Sequence, residues 1–305
     1  MDDVRVLTPA TVSNVVCGFD CLGFALEQPF DEMTVRGIAE RTVRIINHDD
    51  FGLPTDPKQN VVGIALLAML DRVNADFGFE VEIKKHIKPG SGIGSSSASS
   101  CGAVVAANKI LGGRFSKLEL VEFAMEGEKL ASGAKHADNV APSIFGGFTL
   151  VRSAEPLDII SLDFPPMFAT VIHPQIEIKT SEARAILPKE VPLKSAVRNW
   201  SNLGAFVSGL AQGNYDLISR SMEDLIIEQA RKSLIQKFDE LKTASLAAGA
   251  LGGGISGSGP SVFMLSQTSE TAEAVENVMR EIYVQTGIEF NTYVSPISRD
   301  GVRFV

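Results

Sequence analysis

Glycine and serine residues alternate and then cluster between Pro89 and Ser100, in the segment PGSGIGSSSASS. Glycines at Gly90, Gly92 and Gly94 let the backbone turn its N–H groups toward one point. The start of a helix after them would add further free N–H groups and a positive dipole end. Such a segment can hold the phosphates of a nucleotide. The alternative interpretation is an ordinary glycine–serine turn that enters a helix through a serine cap.

The elements on either side of this segment are those that a phosphate-binding loop needs. The alternation of apolar and charged residues in FEVEIKK, from Phe79 to Lys85, predicts a strand before it. The small apolar residues after it predict a helix that ends before Gly112. Two familiar loops do not match, because no lysine follows Gly94 and because the spacing is Gly-x-Gly-x-Gly instead of Gly-x-Gly-x-x-Gly. The segment would therefore be a phosphate loop of another kind.

Two further clusters combine polar residues that could bind a small polar molecule. Asn14 and Asp20 stand in a turn near the N-terminus, and such side chains can fix hydroxyl or ammonium groups. His136, Asp138 and Asn139 crowd into KHADN between apolar flanks, where buried polar groups need partners or a function. An ordinary turn and a structural histidine are the alternatives.

Charged residues near predicted helix ends are candidates for binding a metal ion and an anion. Glu126 and Glu128 lie near the end of a helix predicted over 118–130, where carboxylates oppose the helix dipole, so one of them could hold Mg²⁺. A solvated helix face is the usual fate of such residues. Arg184 and Arg231 as a pair could hold a carboxylate or a transferred phosphate, although each alone would be an ordinary surface charge.

A second glycine-rich stretch, GGGISGSGPSVF, precedes a strand predicted from Ser261 to Leu265. So many glycines carry an entropic cost, which indicates a close approach of the backbone to something. Between the two glycine stretches, the pattern predicts one helix from Asn199 to Ala211 and one amphipathic helix from Tyr215 to Lys232.

Length and composition limit the class of protein. The chain has 305 residues, of which 45% are hydrophobic and 21% charged, as in a soluble protein with a sizeable core. A shift in composition near 154–166 predicts two domains, 1–155 and 156–305. The net charge of −9 argues against nucleic acid or an anionic membrane as a partner. An odd number of cysteines, three, and the lack of a signal-like N-terminus indicate a cytoplasmic protein.

Three stretches in order, PATVSNVVCGFDCLG, PGSGIGSSSAS and GGGISGSGPSVF, resemble the three-motif pattern of the GHMP kinases. Within that family, KHADNVAPSIFGGF and TSEARAILP are similar to the members that phosphorylate the side-chain hydroxyl of L-homoserine in threonine biosynthesis. The resemblance implies an α+β, two-domain GHMP kinase fold. Its N-terminal domain would be like ribosomal S5 domain 2 and its C-terminal domain ferredoxin-like, with the site between them. ATP would be the co-substrate and Mg²⁺ the metal.

The resemblance also implies roles for particular residues. Asn60 would lie by the adenine, and the ATP phosphates would be held by Pro89, Gly90, Ser91, Gly92, Ile93, Gly94, Ser95, Ser96, Ser97, Ala98 and Ser99. Ser96 and Glu128 would bind Mg²⁺. Homoserine would be bound by Asn14, Asp20, His136, Asp138, Thr180, Arg184 and Arg231. The residues expected to take part in catalysis are Asp138, Asn139 and Arg231.

Some alternatives stay open. Mevalonate or shikimate could replace homoserine, and a non-catalytic small-molecule sensor is a third possibility, although such a sensor need not keep Mg²⁺ ligands. We expect no obligate catalytic base, and Asp138 is the residue that could contradict this. A homodimer is the default expectation. The first motif departs from the family's Leu-Gly-Pro-Gly-Phe-Asp, since Val15-Val16-Cys17 precede Gly18-Phe19-Asp20.

Overall fold

The computed structural model describes residues 3–305, whose strands form two β-sheets. The first sheet comprises β1 (Val4–Ser13), β2 (Leu22–Ile38), β3 (Val43–Asn47), β4 (Gly78–Lys84), β5 (Phe148–Ala154), β6 (Leu157–Leu162) and, from the end of the chain, β11 (Arg303–Phe304). The second sheet comprises β7 (Phe168–Pro174), β8 (Gly252–Ile255), β9 (Val262–Ser266) and β10 (Phe290–Pro296).

The first sheet runs in the order β11-β1-β2-β4-β3, and β5 and β6 extend it from β2. Its pairs are antiparallel except β3 with β4. The helices that pack with it are α1 (Val61–Val73), α2 (Ser95–Ile110), α3 (Lys117–Ser132) and α4 (Val140–Phe145). Phe79, Leu66 and Val104 are fully buried in this layer. A capping box formed by Ser116 and Glu119 starts α3.

The second sheet is antiparallel in the order β10-β7-β9-β8, which is the ferredoxin-like arrangement. One helix, α10 (Ser269–Val284), connects β9 to β10. The longer connection from β7 to β8 holds α5 (Thr180–Ala185), α6 (Leu193–Gln212), α7 (Tyr215–Ser221), α8 (Ile227–Arg231), a 3-10 turn at Lys232–Leu234 and α9 (Phe238–Ala247). The expected α+β class and ferredoxin-like second half are confirmed.

The two sheets share a hydrophobic core. The ring of Phe24 in β2 lies 4.9 Å from that of Phe148 in β5 and 5.7 Å from that of Phe263 in β9. Both β6 and β11 belong to the first sheet although they lie beyond residue 155. The sheets therefore do not divide the chain at the predicted boundary, and the division into 1–155 and 156–305 stays a prediction. None of the described helices is long and apolar enough to cross a membrane.

The single helix predicted from Tyr215 to Lys232 is wrong, because the chain leaves the helix after Ser221 and re-enters it at Ile227. Asp224, which is buried, causes the break. Its carboxylate accepts hydrogen bonds from the backbone N–H groups of Ile226, Ile227 and Glu228, at 2.8 to 3.0 Å. A short polar side chain that binds nearby N–H groups in this way competes with a continuous helix.

A buried ion pair lies beneath the glycine loop. The side chains of Lys85 and Asp31 are 1% and 0% exposed, and their charged atoms lie 2.5 Å apart. The Lys85 ammonium also donates to the Ser95 carbonyl at 3.1 Å and to the Ser99 hydroxyl at 2.8 Å, which ties it to the first turns of α2. Asp31 accepts the backbone N–H groups of His86 and Ile87. The pair therefore joins β2, the end of β4 and α2.

Replacing Lys85 by methionine should destabilise the protein by about 3–5 kcal/mol, since it leaves the Asp31 carboxylate buried without its cation. The matched control is Lys84→Met, because Lys84 pairs with Glu32 on the exposed side of the same two strands. That change should stay within about 1 kcal/mol. Urea unfolding of both variants measures the difference, and equal losses would contradict this account.

Candidate active site

A cavity of about 750 Å³ is lined by residues from the connections of both sheets. Its walls include most of the residues predicted to act: Asn14, Asp20, Asn60, Pro89, Gly90, Ser91, Gly92, Gly94, Ser95, Ser96, Ser97, Ser99, Glu128, His136, Asp138, Asn139, Arg184 and Arg231. Ile93 and Ala98 do not line it, because both are fully buried in the shared core. The side chain of Thr180 lies outside the described part of the structure.

The glycine loop has the conformation that its sequence requires. Gly90, Gly92 and Gly94 have φ angles of 75°, 80° and 71°, in the left-handed region that favours glycine. Gly94 is also the N-cap of α2, with no side-chain cap hydrogen bond, so the predicted serine cap is wrong. Ser95 is already inside the helix, and its hydroxyl donates to the Ile87 carbonyl at 2.7 Å. The first N–H groups of α2 are thus left without a side-chain cap at the cavity wall.

The second glycine-rich stretch holds the first in place through hydrogen bonds and a close backbone contact. Ser256 donates its hydroxyl to the Gly92 carbonyl at 2.7 Å, and Ser261 donates to the Ser91 carbonyl at 2.6 Å. A Cβ on Gly92 would lie 2.6 Å from the Gly259 carbonyl oxygen, too close for any other residue. The close approach that the many glycines indicated is therefore a contact between the two glycine-rich segments.

A carboxylate lies beside the start of α2. Glu128 of α3 is buried and lines the cavity, whereas Glu126 is half exposed and pairs with Lys135. Burial raises the pKa of Glu128 to about 7, and hydrogen bonds from the hydroxyls of Ser96 and Ser97 oppose this rise. A carboxylate beside hydroxyl oxygens is a donor set that suits Mg²⁺, which usually completes its shell with water and phosphate oxygens. The described residues form no cluster of three or more metal-ligating side chains.

Two asparagines predicted to contact ligands use their side chains to build the site. The Asn60 amide accepts from the Val62 N–H at 2.9 Å, which caps α1, and donates to the Pro54 carbonyl at 2.6 Å. The Asn14 amide accepts from the Asp20 N–H at 3.0 Å and donates to the Gly257 carbonyl at 2.7 Å. Both therefore shape the walls that a ligand would contact.

Charged side chains of both signs meet at the other end of the cavity. Arg184 donates to both carboxylate oxygens of Asp20, at 2.8 and 3.0 Å, and His136 Nδ1 lies 3.9 Å from the same carboxylate. Arg231 is 3% exposed, and carbonyl oxygens of Ala183 and Gly257 fix its guanidinium, each at 3.0 Å.

The ring of Phe19 connects the two arginines. The guanidinium carbons of Arg184 and Arg231 lie 5.6 and 5.2 Å from its centre, within the range of a cation–π contact. The pair expected from sequence is therefore real in space, and one aromatic ring holds both cations at the same place.

A directional hydrogen-bond chain holds the predicted catalytic residues. Thr11 donates to the Asn139 side-chain oxygen at 2.8 Å, and the Asn139 amide donates to the Ser13 hydroxyl at 2.8 Å. Burial, followed by the charge of Asp20, raises the pKa of Asp138 to about 6, while the charge of His136 and a hydrogen bond from Ser13 oppose the rise. The hydrogen bonds run from Thr11 through Asn139 and Ser13 to Asp138. Two residues of β1, Thr11 and Ser13, therefore fix the orientation of the Asn139 and Asp138 side chains.

Several residues of the cavity were not predicted from the sequence, among them Ser13, Phe19 and Lys85. Thr11, which does not line the cavity but orients Asn139, was not predicted either. Thr11, Ser13 and Phe19 lie within the first motif, so their proximity to Asn14 and Asp20 was the available signal. Lys85 directly follows β4, and its burial depends on the ion pair with Asp31, which lies 54 residues earlier. No local pattern indicates such a pair.

Comparisons with known proteins agree with this architecture. Residues 60–147 match the GHMP kinases N terminal domain, and residues 206–285 match the GHMP kinases C terminal domain. Together these matches cover more than half of the chain. The chain therefore belongs to the GHMP kinase family.

Proteins similar to this chain indicate its subgroup within the GHMP kinase family. Two curated proteins named homoserine kinase, from Chlorobium phaeobacteroides and Chloroherpeton thalassium, are each 44% identical over at least 99% of both chains. A crystal structure of homoserine kinase from Cytophaga hutchinsonii superposes with a TM-score of 0.96 at 46% identity, and covers 100% of this chain and 98% of its own. Within the family, the chain groups with the homoserine kinases. A mevalonate kinase from L. major, with a TM-score of 0.73 at 14% identity, shares the fold alone.

The contact between the two glycine stretches can be tested with a matched pair of substitutions. Gly90→Ala and Gly92→Ala both place a side chain at positive φ, which costs about 1–2 kcal/mol each. Only the Cβ at Gly92 meets backbone atoms, since nothing lies within 4 Å of a Cβ at Gly90. Gly92→Ala should therefore lower the melting temperature further and raise the KM for ATP at least ~10-fold more than Gly90→Ala does. Equal effects would contradict the proposed support of the loop.

Proposed function

We propose that this protein transfers the γ-phosphoryl group of ATP to the side-chain hydroxyl of L-homoserine, a step of threonine biosynthesis. The cavity volume of about 750 Å³ is within the usual range for sites that bind small ligands. The proposal also draws on curated homoserine kinases that are 44% identical to this chain over nearly its full length.

One observation carries the choice of substrate: two arginines and two aspartates face the same end of the cavity. Homoserine is a zwitterion, so its carboxylate matches Arg184 or Arg231, and its ammonium matches Asp20 or Asp138. Mevalonate and shikimate carry a carboxylate but no ammonium. They have no cationic group to bind Asp138, whereas Asp20 already pairs with Arg184.

Positioning and charge neutralisation can supply most of the catalysis. Phosphoryl transfer of this kind passes through a loose transition state in most analyses, with negative charge spread over the transferred oxygens. The uncapped N–H groups at the start of α2 are oriented before ATP binds, because Ser256 and Ser261 fix the glycine loop. Arg231 is held rigidly by two carbonyl oxygens, and it can stabilise charge on either the substrate or the transferred group.

We assign Ser96 and Glu128 as the protein ligands of Mg²⁺. Their oxygen atoms suit that ion, and burial of Glu128 among hydroxyl groups gives an otherwise costly carboxylate a function. Mg²⁺ bound there would neutralise charge on the ATP phosphates. Asn60 and the neighbouring residues of the cavity wall would lie by the adenine.

Asp138 and Asn139 take different roles in this proposal. Asn139 is placed by Thr11 and Ser13 to orient the hydroxyl of homoserine, and Asp138 binds the ammonium as a carboxylate. No residue acts as an obligate base, and the proton passes toward the phosphate. His136 lies beside Asp20 and lowers the pKa of Asp138, so it helps to keep that side chain ionised.

We also propose that the protein works in the cytoplasm as a homodimer. All three cysteines are free thiols, and burial raises the pKa of Cys17 to about 12 and that of Cys21 to about 11. Unpaired, protonated cysteines suit a reducing compartment.

The substrate assignment is tested by ADP release with Mg-ATP and a panel of L-homoserine, L-serine, L-threonine, mevalonate and shikimate. We expect turnover with homoserine, with kcat/KM at least ~100-fold above every other member of the panel. Mevalonate and shikimate lack the ammonium group, and the hydroxyls of serine and threonine lie one carbon closer to the charged groups than that of homoserine. Turnover with mevalonate or shikimate would contradict the assignment of homoserine as the substrate but would support the kinase activity. No turnover with any member, despite ATP binding, would favour the sensor.

The role of Asp138 is tested by Asp138→Asn. If the carboxylate binds the ammonium, the KM for homoserine should rise at least ~10-fold with a smaller change in kcat. In the unmodified enzyme, kcat/KM should fall as the pH drops through about 6, because protonation removes the charge, and the variant should lose this dependence. A loss of more than ~10³-fold in kcat with an unchanged KM would instead identify Asp138 as a base.

A further inference from the structure

The arginine that faces the substrate end of the cavity stands on a very short helix. Arg231 is the last residue of α8, which spans only Ile227–Arg231. Its guanidinium is buried and donates to the carbonyl oxygens of Ala183 and Gly257, which carry no charge. A helix of five residues is not stable by itself in water. The place of Arg231 therefore depends on the groups that fix α8.

The buried carboxylate of Asp224 fixes the start of α8. One of its oxygens, Oδ1, accepts the N–H groups of Ile226 and Ile227 at 2.8 and 3.0 Å, and Oδ2 accepts the N–H of Glu228 at 2.8 Å. These N–H groups have no intrahelical partner at the start of a helix. The negative charge also favours the positive end of the helix dipole. Asp224 thus determines both where α8 begins and in which direction it runs.

The elements around α8 hold the turn and the helix in place. The Asn202 amide of α6 is buried and donates to the Glu223 carbonyl at 3.0 Å, which anchors the turn before α8. Lys242 of α9 donates to the Glu228 carboxylate at 2.6 Å, which anchors one side of α8. Because the turn is fixed on α6, the hydrogen bonds of Asp224 transmit this anchor to α8 and to its last residue.

The charge of Asp224 also acts on Arg231. Both residues line a second, small cavity of about 20 Å³ on the side of Phe19 and Gly257. Burial, followed by the charge of Arg184, lowers the pKa of Arg231, while nearby carboxylates that include Asp224 oppose this change. A buried guanidinium with neutral hydrogen-bond partners is costly unless an opposite charge lies nearby. Asp224 supplies such a charge without lining the substrate cavity.

We propose that Asp224 is a positioning residue for Arg231. Its carboxylate fixes α8 so that the guanidinium of Arg231 meets the substrate at one place. The inference rests on the function proposed above, in which Arg231 stabilises charge on homoserine or on the transferred phosphoryl group. Because Asp224 does not line the substrate cavity, its effect on the reaction passes through Arg231.

The first test measures the position of Arg231 without substrates. Solvent exchange of the Arg231 Nε–H is followed by NMR, and Arg231→Lys, which lacks that N–H, identifies the signal. Asp224→Ala removes all three hydrogen bonds, whereas Asp224→Asn keeps an oxygen for Ile226 and Ile227 and loses the charge and the acceptor for Glu228. Exchange should be at least ~10-fold faster in Asp224→Ala and intermediate in Asp224→Asn. Unchanged exchange in both variants would overturn the proposal.

The second test separates positioning from a general loss of folded protein. Asp224→Ala should lower kcat/KM for homoserine at least ~30-fold, and Asp224→Asn less. In an Arg231→Met background, Asp224→Ala should lower it by less than ~3-fold, because the group that it positions is absent. A role in folding alone would give the same fold loss in both backgrounds, and that result would overturn the proposal.

Glu223→Gln is the matched control. It removes a carboxylate from the neighbouring residue of the same turn, where Glu223 pairs with the exposed Arg198. It should change the Arg231 Nε–H exchange and kcat/KM by less than ~2-fold, and effects equal to those of Asp224→Asn would contradict the proposal. An unmodified protein that does not phosphorylate homoserine would contradict the proposed function, whereas the exchange measurement would still decide whether Asp224 positions Arg231.

Discussion

The packing of one glycine-rich segment against another is the constraint on which the rest of the site depends. Two serine hydroxyls from the connection between β8 and β9 bind carbonyl groups of the glycine loop, and the backbone at Gly92 lies so close to Gly259 that no Cβ fits. A loop built from left-handed glycines would otherwise be free to move, since glycine loses more conformational entropy on ordering than other residues. Contact with the connection between β8 and β9 holds the glycine loop in one conformation.

This contact also explains why the site lies where the two sheets meet. The Asn14 side chain and the Arg231 guanidinium both donate to the Gly257 carbonyl, which belongs to the same supporting segment. One piece of backbone thus fixes the glycine loop on one side and the side chains of Asn14 and Arg231 on the other.

The sequence predicted the parts of the site that depend on local chemistry. The glycine loop, the strand before it and the helix after it follow from spacing alone, and the resemblance to GHMP kinases named most of the charged residues that line the cavity. What it could not predict depends on side chains that meet across the fold. Asn60 and Asn14 bind backbone groups of the cavity wall, and the Lys85–Asp31 pair joins residues 54 positions apart in the sequence. Asp224 breaks a helix because its carboxylate accepts backbone N–H groups. A periodic pattern cannot show which polar group will find a backbone partner.

The same distinction explains the first motif, where valines replace the family's Leu-Gly. Asn14, Val15 and Val16 have φ angles of 73°, 40° and 59°, a left-handed run that is costly for β-branched residues. The turn keeps this geometry because Asn14 bridges to Asp20 and Gly257, and because Val15 and Val16 are buried in the shared core. Tertiary contacts thus impose on valine a conformation that glycine would adopt freely. Strain of this kind persists only where the surrounding structure over-determines it, and here it presents Phe19 and Asp20 to the two arginines.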